Sequence, residues 1–307
     1  MSDLAARLAA HLRGRVAEGV PLAPLTTYRL GGPAALLVEP ADEDDLVVLA
    51  AELGGADVPL LPLGRGSNVV FSDAGFDGVV VRFGTSFQVL DDLGGGTVVA
   101  GAGVSLPVLA NFSARRGLSG VEFGVGVPGS VGGAVRMNAG AHGREICDSL
   151  VSVRLVRAGA AGPEEVPAAD LGLAYRRSAL TERDWVVAAR FELEPADPAR
   201  VQALVSAHRA RRAATQPPPV ANAGSTFKNP PGDHAGRLIE AAGLKGFAVG
   251  GARVSELHAN FFVAEPGARA QDVYDLVRAV KARVAERFGI ELEPEVSFVG
   301  DFAGEGA

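Results

Sequence analysis

Residues 124–140 read GVGVPGSVGGAVRMNAG, six glycines in seventeen residues with a single charge, and residues 64–68 read GRGSN. Glycine and serine leave main-chain N–H groups bare, and successive bare N–H groups make a concave donor site for phosphate or another anion. Gly64, Arg65, Gly66, Ser67 and Asn68 form one such bend; Gly126, Pro128, Gly129, Ser130, Gly132 and Gly133 form the other. Ser67 and Ser130 add hydroxyls and Arg65 a charge, so the pair is suited to gripping the two ends of a pyrophosphate. The competing reading is that these glycines serve only turns and close strand packing. Gly124 to Gly129 also matches G-x-G-x-x-G, but that fingerprint needs a preceding strand and an uninterrupted following helix. Pro128 removes an N–H where the helix should start, and Gly132-Gly133 follows at once, so a dinucleotide fingerprint is rejected.

Other groups could do chemistry. YRRS carries Arg176 and Arg177, whose planar forks suit a carboxylate bidentately; strand alternation would turn only one of them inward. NAGSTFKNP carries Ser225, Lys228 and Asn229, and most Gly-Ser pairs are turns or caps. Glu291, Glu293 and Glu295 in IELEPEV fall on one face of a regular strand, ordinarily a solvated edge. Crowded carboxylates also raise one another's pKa. Arg209, Arg211 and Arg212 suit a diphosphate or, more plainly, a solvated helix face. The five histidines are scattered without HExxH, and His258 in LHANFF reads as structural. Cys147 is the only cysteine, which excludes an internal disulfide and a cysteine zinc site; no metal site is expected. Neither G-x-S-x-G nor Gly-Lys occurs, against a serine hydrolase and a P-loop NTPase.

The elements that must position these groups alternate along the chain. An amphipathic Ala/Leu/Arg stretch opens it, ending near Gly14 or Gly19. A helix is expected over 41–53, with acidic residues in its first turn, and further helices over 106–116, 198–213, 234–242 and 270–288. Gly243 and Gly289 stand at the C′ positions of the last two. PAALLVEP, VPLLPL, NVVF, GVVVRF, TVVAGAGV, SLVSVRLVRA and DWVVAARFELEP read as strands, and the tail IELEPEVSFVG alternates as a half-buried strand does. TQPPPVANAG, residues 215–224, is a stiff connector and the clearest composition break. The fold class is α+β.

With 307 residues, 48% hydrophobic and 21% charged, the chain can form two or three domains. Its net charge of −7 argues against nucleic acid as a partner. No signal-peptide h-region and no transmembrane run are present, so a soluble cytoplasmic protein is expected. Lys228, Lys245 and Lys281 are the only lysines among 29 basic residues, which singles out Lys228 a little.

Five segments in order, PLGRGSNVVFSDAGFDGVVV, GVEFGVGVPGSVGGAVRMNAGAHG, YRRS, NAGSTFKNP and LEPEV, resemble the UDP-N-acetylenolpyruvoylglucosamine reductase family, also called UDP-N-acetylmuramate dehydrogenase. The similarity runs from about Pro24 to Gly300. It implies a vanillyl-alcohol-oxidase-type (PCMH-like) FAD-binding fold of two α+β subdomains, 1–83 and 84–196. A C-terminal α+β substrate-binding domain, 197–307, would follow, its last strand returning to the active site. The implied cofactor is non-covalent FAD, with NADPH as co-substrate, in a monomer of peptidoglycan precursor synthesis. Hydride would pass from NADPH to flavin N5 and on to C3 of the enolpyruvyl ether, while a proton reaches C2.

On the same resemblance, Ser225 is the proton donor, Arg176 the catalytic arginine and Glu295 the catalytic glutamate. Tyr175, Lys228 and Asn229 would bind substrate, and the two bends, joined by Asn138, Ala139 and Gly140, would hold FAD. Arg177 departs from the acidic residue some relatives carry. Length and spacing resemble the shorter class of the family, without the loop that closes a tyrosine over the substrate. The alternative is another FAD-dependent oxidase or dehydrogenase of the same fold, against which NAGSTFKNP and LEPEV speak.

Overall fold

The computed structural model describes residues 1–218 and 221–304, so Pro219 and Val220 of the expected connector lie outside the described residues. The chain divides into two compact units. The first comprises Met1–Val20, Ala35–Arg65 and Gly78–Arg212; the second comprises Pro21–Ala34, Gly66–Asp77 and Ala213–Ala307.

In the first unit, a four-stranded sheet runs in the order Arg15–Pro21, Pro33–Glu39, Phe76–Arg82, Leu60–Leu63. The last two strands are parallel, Leu60 facing Val79 and Leu63 facing Arg82. A five-stranded antiparallel sheet runs Glu164–Pro167, Leu150–Arg157, Asp184–Glu192, Thr97–Gly101, Leu90–Gly94. Asp184–Glu192 is its central strand, which is why its start, Trp185-Val-Val, is apolar and buried. Trp185 is fully enclosed and its indole N–H donates to Glu182 O at 3.1 Å, so burying it strands no donor.

The opening helix, Ser2–His11, stops before the expected glycines, and Gly19 lies inside the strand Arg15–Pro21. The cause is Asp45, buried in the helix Glu43–Leu53. Its carboxylate accepts from the N–H groups of Arg13 (3.1 Å), Gly14 (2.7 Å) and Ala41 (2.8 Å), drawing the chain out of the helix just past its end. Asp42 caps Glu43–Leu53, accepting from Asp45 N–H at 3.1 Å.

The second unit packs the helices Ala235–Ala241 and Ala270–Phe288 with a three-stranded sheet, Ala248–Val249, Ala252–Val254, Phe262–Ala264. Val273, Leu276, Val277, Val280 and Val284 form the buried face of the longer helix. Gly243 and Gly289 adopt φ of +75° and +68°, the left-handed conformation that ends a helix. The tail is strand only over Ser297–Val299, parallel to Val69–Phe71. Over 290–296 the regular alternation fails because Pro294 has no N–H to give a ladder. The chain there bonds instead with 226–228, Phe227 opposite Pro294.

Burial alone would raise the Asp45 pKa, but three main-chain N–H groups and the Arg13 charge outweigh it and hold the carboxyl below its ordinary value. A depressed folded-state pKa contributes stability above the unfolded value, and that contribution is lost as pH falls below about 4. Asp45→Ala leaves buried donors unmatched and should cost about 1–3 kcal/mol in urea unfolding at pH 7. The difference from wild type should shrink as the pH is taken below that range.

Candidate active site

In the first unit the two bends begin face to face. Arg65 Nε donates to Pro128 O at 3.2 Å, and a Cβ placed on Gly64 would collide with Ser130 Oγ. Residues 124–140 are built as a 3₁₀ turn, Glu122–Gly126, a bend at Val127–Ser130 and a helix, Val131–Arg136. A short helix therefore follows Pro128 and contains Gly132-Gly133, which was expected to remain loop. It is anchored by Val131 N–H to Val104 O (2.8 Å) and Gly132 N–H to Ala102 O (3.0 Å). What precedes it is a 3₁₀ turn, not a strand, so the dinucleotide fingerprint stays excluded. The main-chain N–H groups of Arg65, Gly129 and Ser130 donate to no acceptor on any described residue, as an anion-binding bend requires.

The glycines divide by what surrounds them. A Cβ at Gly132 would lie 3.0 Å from Ala102 Cβ, and one at Gly140 would strike Arg144 O and the Glu145 side chain. These two serve close approach of protein to protein. At Gly126 and Gly133 the nearest atoms would be 3.9 and 3.7 Å away, ordinary contact distance. The rest of the first bend belongs to the second unit. There Gly66, at φ +60°, lies too close to Leu25 O for any side chain, and its carbonyl accepts from Thr27 N–H at 3.0 Å. Ser67 and Gly66 N–H groups likewise donate to no described residue.

Arg176 and Arg177 lie in a turn rather than a strand, with Arg176 at φ +55°. Side-chain alternation therefore does not decide between them; the turn does. Arg177 is exposed, while Arg176 is largely enclosed and turned toward residues 138–145. Its Nη2 donates to Gly140 O (2.8 Å), and Nη1 to Glu145 Oε1 (3.2 Å) and Asn138 O (3.4 Å). Its guanidinium carbon stands 4.8 Å from the Tyr175 ring centroid, and Tyr175 itself is exposed. Asn138 is fully buried with its side-chain amide turned inward, and Ala139 is packed partly against the core. Arg212 donates to Gly126 O and Arg209 to Asn111 Oδ1 (3.1 Å), so both reach the fold around the glycine-rich segment.

The second unit brings Ser225, Lys228, Glu295 and Asn68 together. Residues 225–228 run between two partners: Ser225 bridges Phe261, and Phe227 bridges Pro294. Thr226 N–H donates to Asn260 O at 2.8 Å, while Thr226 O accepts from Glu295 N–H at 2.8 Å. Ser225 and Glu295 are thus attached to the same residue, and both are half-buried. Asn68 Nδ2 donates to Glu295 O at 3.0 Å and Asn68 O accepts from Ser297 N–H at 3.0 Å. Lys228 Nζ pairs with Glu293 Oε1 at 2.6 Å, and Glu291 pairs with Lys281 at 3.3 Å. Glu291 and Glu293 are thus each paired with a lysine, and Pro294 interrupts the regular alternation that would have aligned them with Glu295. Asn229 accepts from Ala235 N–H at 3.1 Å, at the start of the helix Ala235–Ala241.

Two residues were passed over in the sequence. Asn260 is buried and clamps Phe227 from both sides, its Oδ1 accepting from Phe227 N–H (3.0 Å) and its Nδ2 donating to Phe227 O (2.8 Å). The Asn two residues after His258, in an otherwise apolar run, was the available signal. Glu145 gave none, since an Arg-Glu pair beside a glycine reads as solvated surface. His258 is structural as expected, its Nδ1 accepting from Asn260 N–H at 3.2 Å and burial lowering its pKa.

Residues 34–161 match the model of an FAD binding domain, and residues 216–299 that of the UDP-N-acetylenolpyruvoylglucosamine reductase C-terminal domain. UDP-N-acetylenolpyruvoylglucosamine reductase of Anaeromyxobacter sp. (strain Fw109-5) is 45% identical over 99% of this chain and 95% of that relative. UDP-N-acetylenolpyruvoylglucosamine reductase 2 of Symbiobacterium thermophilum is 45% identical over 98% of both. The crystal structure of the reductase from Thermus caldophilus superposes with a TM-score of 0.80 at 37% identity, covering 94% of this chain and all of that one. The fold is thus the expected α+β FAD-binding fold with a C-terminal α+β domain. Gly64→Ala, whose methyl would push Ser130 away, should lower the flavin-to-protein absorbance ratio of purified protein at least about tenfold in affinity terms, about 1.4 kcal/mol. Near-full-length identity at this level, both domain matches and the shared structure make this chain a member of the UDP-N-acetylenolpyruvoylglucosamine reductase family.

Proposed function

We propose that this protein reduces the enolpyruvyl ether of UDP-N-acetylenolpyruvoylglucosamine to UDP-N-acetylmuramate, with NADPH as reductant, as a cytoplasmic monomer in peptidoglycan precursor synthesis. The observation that carries the reading is the shared attachment of Ser225 and Glu295 to Thr226, inside the segment 216–299 matched to this family's C-terminal domain. That segment also favours this substrate over those of other FAD-dependent oxidases of the same fold.

FAD, when bound, supplies a ring that takes hydride from NADPH and gives it to C3 of the substrate. Gly64, Arg65, Gly66, Ser67, Asn68, Gly126, Pro128, Gly129, Ser130, Gly132, Gly133, Asn138, Ala139 and Gly140 are assigned to hold it. Within this set the bare N–H groups of Arg65, Gly66, Ser67, Gly129 and Ser130 are the donors suited to its phosphates. Asn68, Gly132 and Gly140 contribute by shaping the main chain, given what their own atoms touch.

Adding hydride to C3 leaves negative charge spread from C2 into the carboxylate. Arg176 meets that charge with its fork, since an arginine stabilises a carboxylate that gains electron density better than one that does not. Ser225 gives the proton to C2. A serine hydroxyl is a weak acid, so positioning must do most of the work, and the main-chain bonds on both sides of 225–228 support this. Glu295 stands as the second proton-handling group, steadied by the bonds to its N–H and C=O. Tyr175, Lys228 and Asn229 bind the substrate. The domain roles follow: cofactor on 1–83 and 84–196, substrate on 197–307.

Stopped-flow absorbance separates the two halves of the reaction. In Ser225→Ala, NADPH should bleach the flavin at the wild-type rate, while anaerobic recovery of colour on adding the enolpyruvyl sugar nucleotide slows by about 10²–10⁴-fold. Equal slowing of both halves would remove Ser225 from the role of proton donor.

A further inference from the structure

We infer that Glu145 and Asn138 are positioning residues that aim Arg176, and that a carboxylate at 145 is required because every group facing it is a hydrogen-bond donor. The inference rests on the reading of Arg176 as the group that meets the substrate carboxylate.

Gly140–Ala141 and Arg144–Glu145 pair as a two-residue hairpin in which Glu145 lies opposite Gly140. A side chain at 140 would strike Glu145 Cγ at 2.8 Å, so glycine there lets the Glu145 side chain cross its neighbouring strand. Its carboxylate then takes four donors: Asn138 Nδ2 at 2.9 Å, Arg176 Nη1 at 3.2 Å, the N–H of Asp148 and, at the longer distance of 3.9 Å, Cys147 Sγ. Gly140 O, on the opposing strand, takes Arg176 Nη2 at 2.8 Å. The two arms of the guanidinium are thus held by the two strands of one hairpin. At the hairpin's tip the His142 ring stacks on His208 of the helix Pro198–Thr215, with centroids 4.0 Å apart and planes 10° from parallel.

The orientation of the Asn138 amide is fixed independently. Its Oδ1 accepts from Cys147 N–H at 3.0 Å and its Nδ2 also donates to Ala174 O at 3.2 Å, two residues before Arg176. Asn138 itself adopts φ +39°, a conformation uncommon outside glycine and asparagine, and is fully buried. Flipping the amide would set two donors against each other at Cys147 and two acceptors at Ala174. Asn138 therefore presents a donor to residue 145, and Arg176 presents another. A carboxylate accepts from both; a glutamine must turn its own NH₂ toward one of them. Glu145 is not a catalytic residue on this account, since it acts through Arg176.

Glu145→Gln keeps size and shape and is the deciding variant, with Asp148→Ala as its control. Asp148→Ala removes the partner that accepts from Glu145 N–H at 2.9 Å but leaves the Arg176 contacts in place. In Glu145→Gln, flavin content and the rate of bleaching by NADPH should match wild type, while substrate-dependent recovery of flavin absorbance slows about 10–100-fold, the effect of a small misplacement. Asp148→Ala should show wild-type rates in both halves. Loss of flavin in Glu145→Gln, equal slowing of both halves, or equal slowing in Asp148→Ala would each overturn the inference and leave Glu145 with a merely structural role. Arg176→Ala distinguishes the levels. If it too recovers at the wild-type rate, the reading of Arg176 fails and the inference with it. If it stops recovery while Glu145→Gln runs like wild type, only the inference fails.

Discussion

Main chain brought nearer than any Cβ permits is the constraint on which the cofactor region depends. Gly66 meets the main chain of Leu25 and Thr26 at distances that exclude a methyl group, and a Cβ on Gly64 would collide with the Ser130 hydroxyl. A left-handed residue or a buried glycine costs folding about 1 kcal/mol in lost conformational freedom. Beside this constraint stands a set of N–H groups, on Arg65, Gly66, Ser67, Gly129 and Ser130, that donate to no described residue. Unmatched donors would each be a liability of similar or larger size in a buried setting.

The candidate site residues are placed by main-chain bonds more than by packing. Ser225 and Glu295 take their positions from the pairings of Thr226, and Asn260 locks the next residue in both directions. Arg176 is held by carbonyls of Gly140 and Asn138 and by one carboxylate. Hydrogen-bonded main chain has fewer alternative arrangements than a side chain resting on an apolar surface, which suits groups whose placement must hold to within a fraction of an ångström. Besides Glu145, the polar side chains that do this work include three asparagines, Asn68, Asn138 and Asn260. An amide offers a donor and an acceptor in a fixed geometry, so each can bind two main-chain groups of opposite kind.

Much of this could be read from the sequence, and the failures have local causes. The helices 41–53 and 270–288 follow from acidic first turns, apolar periodicity and a terminal glycine, and the structure has them as Glu43–Leu53 and Ala270–Phe288. The opening helix ended early because Asp45, distant in sequence, takes the N–H groups that would have continued it. The tail lost its strand because its pairing partner is the 226–228 segment, which only the tertiary fold brings beside Pro294. Strand alternation was expected to turn only one of Arg176 and Arg177 inward, whereas a turn with positive φ at Arg176 separates the two. Spacing does not show that a Cβ at Gly132 would press on Ala102, or one at Gly140 on Arg144 and Glu145. Nor could spacing show that residues 21–34 and 66–77 pack with the C-terminal part of the chain.

The proposed reaction is defined by which carbon receives hydride and which receives the proton. Turnover with NADPH deuterated at the transferred position in ordinary water, and with unlabelled NADPH in deuterium oxide, separates the two by NMR of the product. Label from the nucleotide should appear at C3 of the lactyl ether and label from solvent at C2. Solvent label at C3, or nucleotide label lost to water before reaching the product, would contradict it.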